Sequence, residues 1–206
     1  MNIGIIGAGG IGQAFAGHVA RAGYEVILSN SRGPESLAEV VNQLGGRAKA
    51  GTRQEAAQAD VVLLAVMWQQ LSAALSDLPA WNGRILIDAT NAAEMVEAGL
   101  RKVNLGGRTS SEVVASMAPG ARVVKVANTL PRALLAADPK QTGGRRVLFM
   151  SGDDAAAKAD VSAVLDKVGF ATIDLGGLAT GGRLQEFPGG PLPNQNLIKL
   201  DLDNYD

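Results

Sequence analysis

Cysteine is absent from the 206 residues, and histidine occurs once, at His18. The first absence excludes disulfides, thiolate metal sites and a cysteine nucleophile. The second excludes a two-histidine metal site within one chain. There is no excess of either charge: 19 Lys and Arg stand against 20 Asp and Glu, for a net charge of −1. Such a surface does not favour nucleic acid or an anionic membrane as a partner. No apolar run approaches the ~20 residues that a membrane-spanning helix needs, and no basic leader precedes the first apolar run. The expectation is a cytoplasmic protein. What is abundant is apolar residues, 47 % against 19 % charged, enough for a real core and too many for disorder. At ~150 residues per domain the length suits one domain, or one domain with a small partner. Glycine, at 26 residues, implies repeated tight turns and close backbone approaches.

Short apolar runs alternate with amphipathic segments. Strands are expected at 2–7, 25–29, 47–50, 61–66, 84–89 and 122–127. Helices are expected over 10–22, from Pro34 to Leu44, over 53–58, from Leu71 to Leu78, from Thr109 to Met117 and over 130–137. Thr109 with Glu112 has the spacing of a capping box. Val/Ile/Leu runs without polar alternation imply strands buried on both faces, so the pattern predicts an α/β fold of Rossmann type: a doubly wound, mostly parallel sheet. Asp138-Pro139 and Gly143-Gly144 mark a boundary between a nucleotide-binding domain, 1–137, and a small α/β C-terminal extension, 138–206. The extension reads as strand 145–150, helix 154–168 and strand 170–175. Six glycines between Gly176 and Gly190 then suggest a loop with a short helical piece near Leu184, serving either as a pocket wall or as a mobile tail.

The chain opens strand, then Gly7-Ala8-Gly9-Gly10-Ile11-Gly12, then helix. In that context three of the glycines have separate physical roles. Gly7 permits the sharp turn, Gly9 leaves room for a pyrophosphate to approach the backbone, and Gly12 lets the helix lie close to the sheet. Free N–H groups at the helix start face the phosphates. An NAD or FAD site usually ends its second strand with an acid for the ribose hydroxyls. Here that strand runs into Ser29-Asn30-Ser31-Arg32-Gly33-Pro34, with no acid. The guanidinium fork of Arg32, with Ser31 and Asn30 as neutral donors, suits an extra ribose phosphate, so NADP(H) is favoured over NAD(H).

Ligands of a doubly wound sheet lie across the C-terminal strand ends. These present Ala65, Val66 and Met67, then Asn91, then Ala127 and Asn128. Trp68 reads as a pocket wall or as a packing residue. The two asparagines read as amide contacts to the nucleotide or as caps of the next helices. His18, two turns into the first helix, reads as a packing or helix-surface residue. No acid–base pair stands in a telling motif. Lys125, Glu186 and Lys199 are the proton-donor candidates that a carbonyl or imine reductase would need, while Tyr24 is at the wrong strand end and Tyr205 is close to the terminus. The acidic end (Asp201, Asp203, Asp206) reads as a solvated tail.

GAGGIG at 7–12, SNSR at 29–32, AVMW at 65–68, DATN at 88–91, GARVVKVANT at 120–129 and the run from Gly152 to Gly176 resemble the NADPH-dependent F-420 reductase family. The nucleotide halves of membrane ferric reductases and pyrroline-5-carboxylate reductases are similar. The resemblance covers roughly residues 1–186. It implies an oxidoreductase passing hydride between NADP(H) and a flat acceptor, a deazaflavin such as F-420 or a flavin, as its small-molecule partner. It implies that Ser31 and Arg32 hold the 2′-phosphate, that the backbone of Ala8–Ile11 holds the pyrophosphate, and that Val66–Met67 and Ala127–Asn128 flank the nicotinamide side. Met67 and Ala92 stand where members often carry proline. A homodimer is the expected assembly. A non-enzymatic NADP(H) sensor and a small-substrate imine or carbonyl reductase are the alternative readings.

Overall fold

The computed structural model describes residues 1–201. Tyr205, Asp203 and Asp206 lie outside the described residues. The first half of the chain contains β1 (Asn2–Ile6), α1 (Gly10–Arg21), β2 (Glu25–Ser29), a 3-10 turn (Pro34–Leu37) leading into α2 (Ala38–Leu44), β3 (Ala48–Ala50), α3 (Arg53–Ala56) and β4 (Val61–Leu64). A second 3-10 turn (Trp68–Gln70) leads into α4 (Leu71–Leu75) and β5 (Ile85–Asp88). Then come β6 (Ala93–Val96), β7 (Gly99–Lys102), α5 (Ser110–Met117), β8 (Arg122–Lys125) and α6 (Arg132–Ala136). The chain continues through β9 (Lys140–Gln141), β10 (Gly144–Gly152), α7 (Ala155–Val168), β11 (Ala171–Asp174), α8 (Gly181–Gln185) and β12 (Ile198–Leu200).

Local chemistry sets several of these bounds. The expected capping box closes around α5: Thr109 accepts from the Glu112 N–H, and the Glu112 carboxylate accepts from the Thr109 N–H. Thr52 and Glu55 do the same for α3. Asp154 caps the start of α7, and Gly169 ends it in the left-handed conformation that glycine adopts without strain.

Six strands run parallel in the order β3-β2-β1-β4-β5-β8. This is the doubly wound arrangement that the alternating pattern predicts. β10 joins antiparallel to β8, and β11 pairs parallel to β10, so the C-terminal segment shares the same sheet. Strand alternation divides the core. Ile3, Ile5, Val61, Leu63, Ile85 and Ile87 face α1 and α7, against Phe15, Val19 and Leu165. Ile6, Val62, Leu64 and Leu86 face the other way, against Ala56, Leu71, Trp81 and Val114. A methyl group on Gly4 would collide with the Ala56 carbonyl, so α3 lies hard against β1.

The chain order reverses between β1 and β4, and the turns after both strands open at that point. Ligands of such sheets bind there. Among the described residues no helix is long and apolar enough to cross a membrane.

The structure adds elements that the pattern did not predict. β6 and β7 form a separate antiparallel hairpin with Val96 paired to Gly99, where no strand was expected. β12 adds to the edge of β10. The run from Gly176 to Gly190 is not a free tail: α8 lies within it, and Gln185 and Glu186 are buried.

His18 is a packing residue. Its Nε2–H donates to the Leu135 carbonyl at 2.7 Å, and its Nδ1 accepts from Arg21 at 3.0 Å. The ring meets Phe170 edge-on, with centroids 5.2 Å apart. Both polar contacts suit the neutral ring, and protonation would set a cation against the Arg21 guanidinium. Burial lowers the His18 pKa below its ordinary 6.5; the Leu135 carbonyl opposes the shift and Arg21 adds to it. The unfolded chain therefore takes up this proton first as pH falls. Thermal stability is expected to be flat above about pH 6.5 and to decline below it, down to the folded-state pKa. His18→Leu should flatten that decline. Melting curves between about pH 7.5 and pH 5.5 check it; equal slopes in the two proteins would contradict it.

Candidate functional site

Two cavities open at the C-terminal edge of the parallel strands, one on each side of the β1–α1 turn. The first is a groove of about 610 Å3. The turn supplies Gly7, Ala8 and Gly9 to it, the end of β2 supplies Asn30, Ser31 and Arg32, and the end of β4 supplies Ala65, Val66 and Met67. The structure thus brings nine of the expected site residues together from three separate stretches of chain.

The glycines of the turn differ in what holds them. Gly7 sits at φ 110°, and its N–H donates to the Ser29 carbonyl at 3.0 Å. A methyl group on Gly12 would strike the Gly7 carbonyl, so Gly12 serves packing of α1 against the turn. Gly9 is different: a methyl group there would meet nothing within 4 Å. No protein contact requires glycine at that position, and its backbone faces open space. Gln13 donates to the Ala8 carbonyl at 2.8 Å and holds the turn. The first turn of α1 carries no acidic residue and no side-chain cap, so its N–H groups are not claimed by a side chain.

At the end of β2 the Asn30 side chain builds the loop. Its oxygen accepts from the Arg32 N–H at 2.9 Å, and its amide donates to the Ser36 hydroxyl at 2.9 Å. Ser31 and Arg32 are left exposed at the lip. Among the described residues no carboxylate pairs with the Arg32 guanidinium. A second cation, Arg53, also lines the groove. Its guanidinium donates to the carbonyls of Ala73, Ala74 and Ser76 at the end of α4. Sequence reading missed Arg53, which stands in no motif and reaches the groove only because α3 crosses β1. Met67 is 65 % exposed and gives the groove an apolar wall. Trp68 does not line it and packs against the core beside Leu71.

The second cavity, about 350 Å3, is lined by Ile11, Asn91, Ala127, Asn128, Arg132, Phe187 and Asn194 among others. Gly10 lies on the helix start between the two cavities, beneath the Arg132 side chain. Ala127 holds a left-handed φ of 65°, a strained conformation for alanine that the surrounding structure must enforce. Neither asparagine caps a helix; Pro131 precedes α6. The two amides bond to each other: the Asn128 amide donates to Asn91 Oδ1 at 3.0 Å, and the Asn91 amide donates to the Asn128 carbonyl at 3.2 Å. Asn128 also donates to the Gln185 carbonyl at 2.7 Å, and its Oδ1 accepts from Gln185 Nε2 at 3.3 Å. Asn128 is thus the crosspiece that ties β8 to α8, while Asn91 retains half-exposed surface toward the cavity.

None of the three proton-donor candidates lines this cavity. Lys125 is fully buried; its ammonium donates to the Thr90 carbonyl at 3.1 Å and to Ser110 at 2.9 Å, and lies 3.5 Å from the Asp88 carboxylate. Asp88 in turn accepts from the Thr90 N–H at 2.8 Å. Removing either charge would strand the other in the core, which typically costs about 3–5 kcal/mol. The pair therefore fixes the β5 and β8 ends that present Asn91 and Asn128. Glu186 accepts from the Ser110 N–H and pairs with Lys102, and Lys199 lies exposed on β12. Tyr24 sits just before β2, at the opposite strand end, with Lys167 over its ring.

The match to known proteins follows the same residues. Residues 2–92 match the model of the family described as NADP oxidoreductase, coenzyme F420-dependent. A hypothetical protein of Sinorhizobium meliloti is 44 % identical, with a TM-score of 0.90 over 97 % of this chain and 96 % of that one. The chain belongs to the coenzyme F-420-dependent NADP oxidoreductase-like family. A protein of Arthrobacter sp. FB24 described as an F-420-dependent NADP reductase is 29 % identical, with a TM-score of 0.76 over 86 % of each chain. The rat metalloreductase STEAP3 is 29 % identical over 199 residues; these are 96 % of this chain but only 38 % of that protein. The family model covers β1 to the end of β5, the stretch that supplies the whole first groove. For this member of the F-420-dependent NADP oxidoreductase-like family, the second cavity is built mainly from residues beyond that stretch.

Proposed function

We propose that the chain is an NADP(H)-dependent oxidoreductase that transfers hydride between the nicotinamide and a flat acceptor, a deazaflavin or a flavin. The observation that carries this reading is the bare backbone at Gly9, set in one groove with an Arg32 that pairs with no carboxylate among the described residues. A diphosphate fits beside a glycine that nothing else needs, and a ribose phosphate fits the exposed fork of Arg32 with the Ser31 hydroxyl.

In this reading the backbone of Gly7 to Gly12 holds the diphosphate, and Ser31 and Arg32 hold the 2′-phosphate. Asn30 acts by shaping their loop. Ala65, Val66 and Met67 supply the apolar wall along the ribose, and Ala127, Asn128 and Asn91 border the nicotinamide end. Bound NADPH supplies the hydride. The protein's part is to orient two flat rings and keep water out, which needs no acid–base side chain. The lining of the second cavity is suited to this: among the described residues it carries amides, apolar side chains, the Thr129 hydroxyl and one arginine, and no carboxylate, lysine or histidine. Residues 1–137 then bind the dinucleotide, and the segment that follows contributes the acceptor wall through Phe187, Pro193 and Asn194.

The test is steady-state oxidation of NADPH with a deazaflavin, FMN and riboflavin offered in turn. Turnover with at least one of them is expected. Firm NADPH binding without transfer to any would refute the flat-acceptor reading and leave a nucleotide-binding module or a small-substrate imine or carbonyl reductase.

A further inference from the structure

We infer that Arg132 is a cofactor-binding residue that closes over the nicotinamide-side phosphate of the dinucleotide. The inference rests on the nucleotide reading above and adds a residue that no glycine motif or strand-end pattern indicates.

Arg132 opens α6, and its side chain lies across Gly10, the first residue of α1. A methyl group on Gly10 would come within 3.0 Å of Arg132 Cγ and of Nε, and nearer still to Cδ. The aliphatic stem thus covers the helix start, and Nε stands at the same short reach from Gly10. Among the described residues no carboxylate pairs with it. Among the described residues Arg132 is also the single charged side chain lining the second cavity.

Position decides which phosphate it meets. Gly7, Ala8 and Gly9 open toward the first groove with Arg32, whereas Ile11 and Arg132 line the second. A dinucleotide running from Arg32 toward Ala127 and Asn128 crosses this boundary at its nicotinamide-side phosphate. There the α1 N-terminus and Arg132 come together, and a guanidinium is suited to phosphate oxygens by its fork of donors. Arg32 and Arg132 therefore divide the work: the first distinguishes NADPH from NADH, and the second serves both alike.

Binding titrations of the whole chain test this. Arg132→Ala should weaken NADPH and NADH by the same factor, about 10-fold or more. It should leave adenosine 2′,5′-bisphosphate, which lacks the nicotinamide-side phosphate, unchanged. The melting temperature should hold, because the side chain is exposed and pairs with no carboxylate among the described residues. Gly10→Ala gives a second arm. Its methyl group displaces Arg132, so it should weaken NADPH and NADH by the same factor. An unchanged NADPH affinity, a loss confined to NADPH, or a parallel loss of the bisphosphate would each overturn the inference. A parent protein that binds neither dinucleotide would overturn the nucleotide reading itself, a distinct outcome visible before any variant is made.

Discussion

A Gly9→Ala variant is expected to keep its fold and lose its nucleotide. Gly9 stands at φ −75° and ψ −172°, extended backbone that alanine adopts freely. Its added methyl group would meet no protein atom within 4 Å. Alanine is a poorer N-cap than glycine, but it also lowers the entropy of the unfolded chain, and the two effects largely cancel within about 1 kcal/mol. For a chain of this size the melting temperature should move by no more than about 2–4 °C. The space that the methyl group takes is the space assigned to the diphosphate. Losing one or two backbone hydrogen bonds to a charged phosphate costs about 2–4 kcal/mol, roughly 30- to 1000-fold in Kd. Calorimetric titration with NADPH, paired with a melting curve, reads both quantities. Gly12→Ala provides the contrast. Its methyl group would collide with the Gly7 carbonyl, so it should lower stability itself. A Gly9→Ala protein that bound NADPH normally would remove the diphosphate from this turn.

Arg32 carries the second large effect. Its side chain is exposed and pairs with no carboxylate among the described residues, so Arg32→Ala should leave the fold untouched. NADPH affinity should fall about 10- to 100-fold through loss of a charge-assisted contact, while NADH affinity stays the same. Ser31→Asp should act in the same direction more strongly, since it sets a carboxylate against the phosphate. The informative readout is the ratio of the two dissociation constants. A variant that lost NADPH and NADH together would place Arg32 on a part of the ligand that both share.

Much of the fold was readable because both-face burial writes continuous Val/Ile/Leu runs into β1, β4 and β5. The glycine turn after β1 and the Asn30-Ser31-Arg32 stretch after β2 marked the loops of the first groove, which lie close to the strands in sequence. The β6–β7 hairpin was not readable. Ala93, Glu94 and Met95 favour helix by propensity, and the hairpin packs too little of itself into the core to show alternation. β12 forms only because β10 offers it an edge more than forty residues back in sequence, which no local pattern encodes. The site divides in the same way. Gly9 and Arg32 announce themselves by context within a strand–turn–helix unit. Arg53 and Arg132 look like ordinary surface arginines until α3 and α6 carry them to the two cavities. Asn91 and Asn128 were legible as strand-end amides, but their bonds to each other and to Gln185 depend on partners 37 and 57 residues apart.

The most direct measurement is a side-by-side calorimetric titration of the unaltered chain with NADPH and with NADH. The account predicts one site per chain for NADPH, tighter than NADH by about 10-fold or more, the difference carried by one phosphate against Arg32 and Ser31. Equal affinities, a preference for NADH, or no heat with either would contradict it.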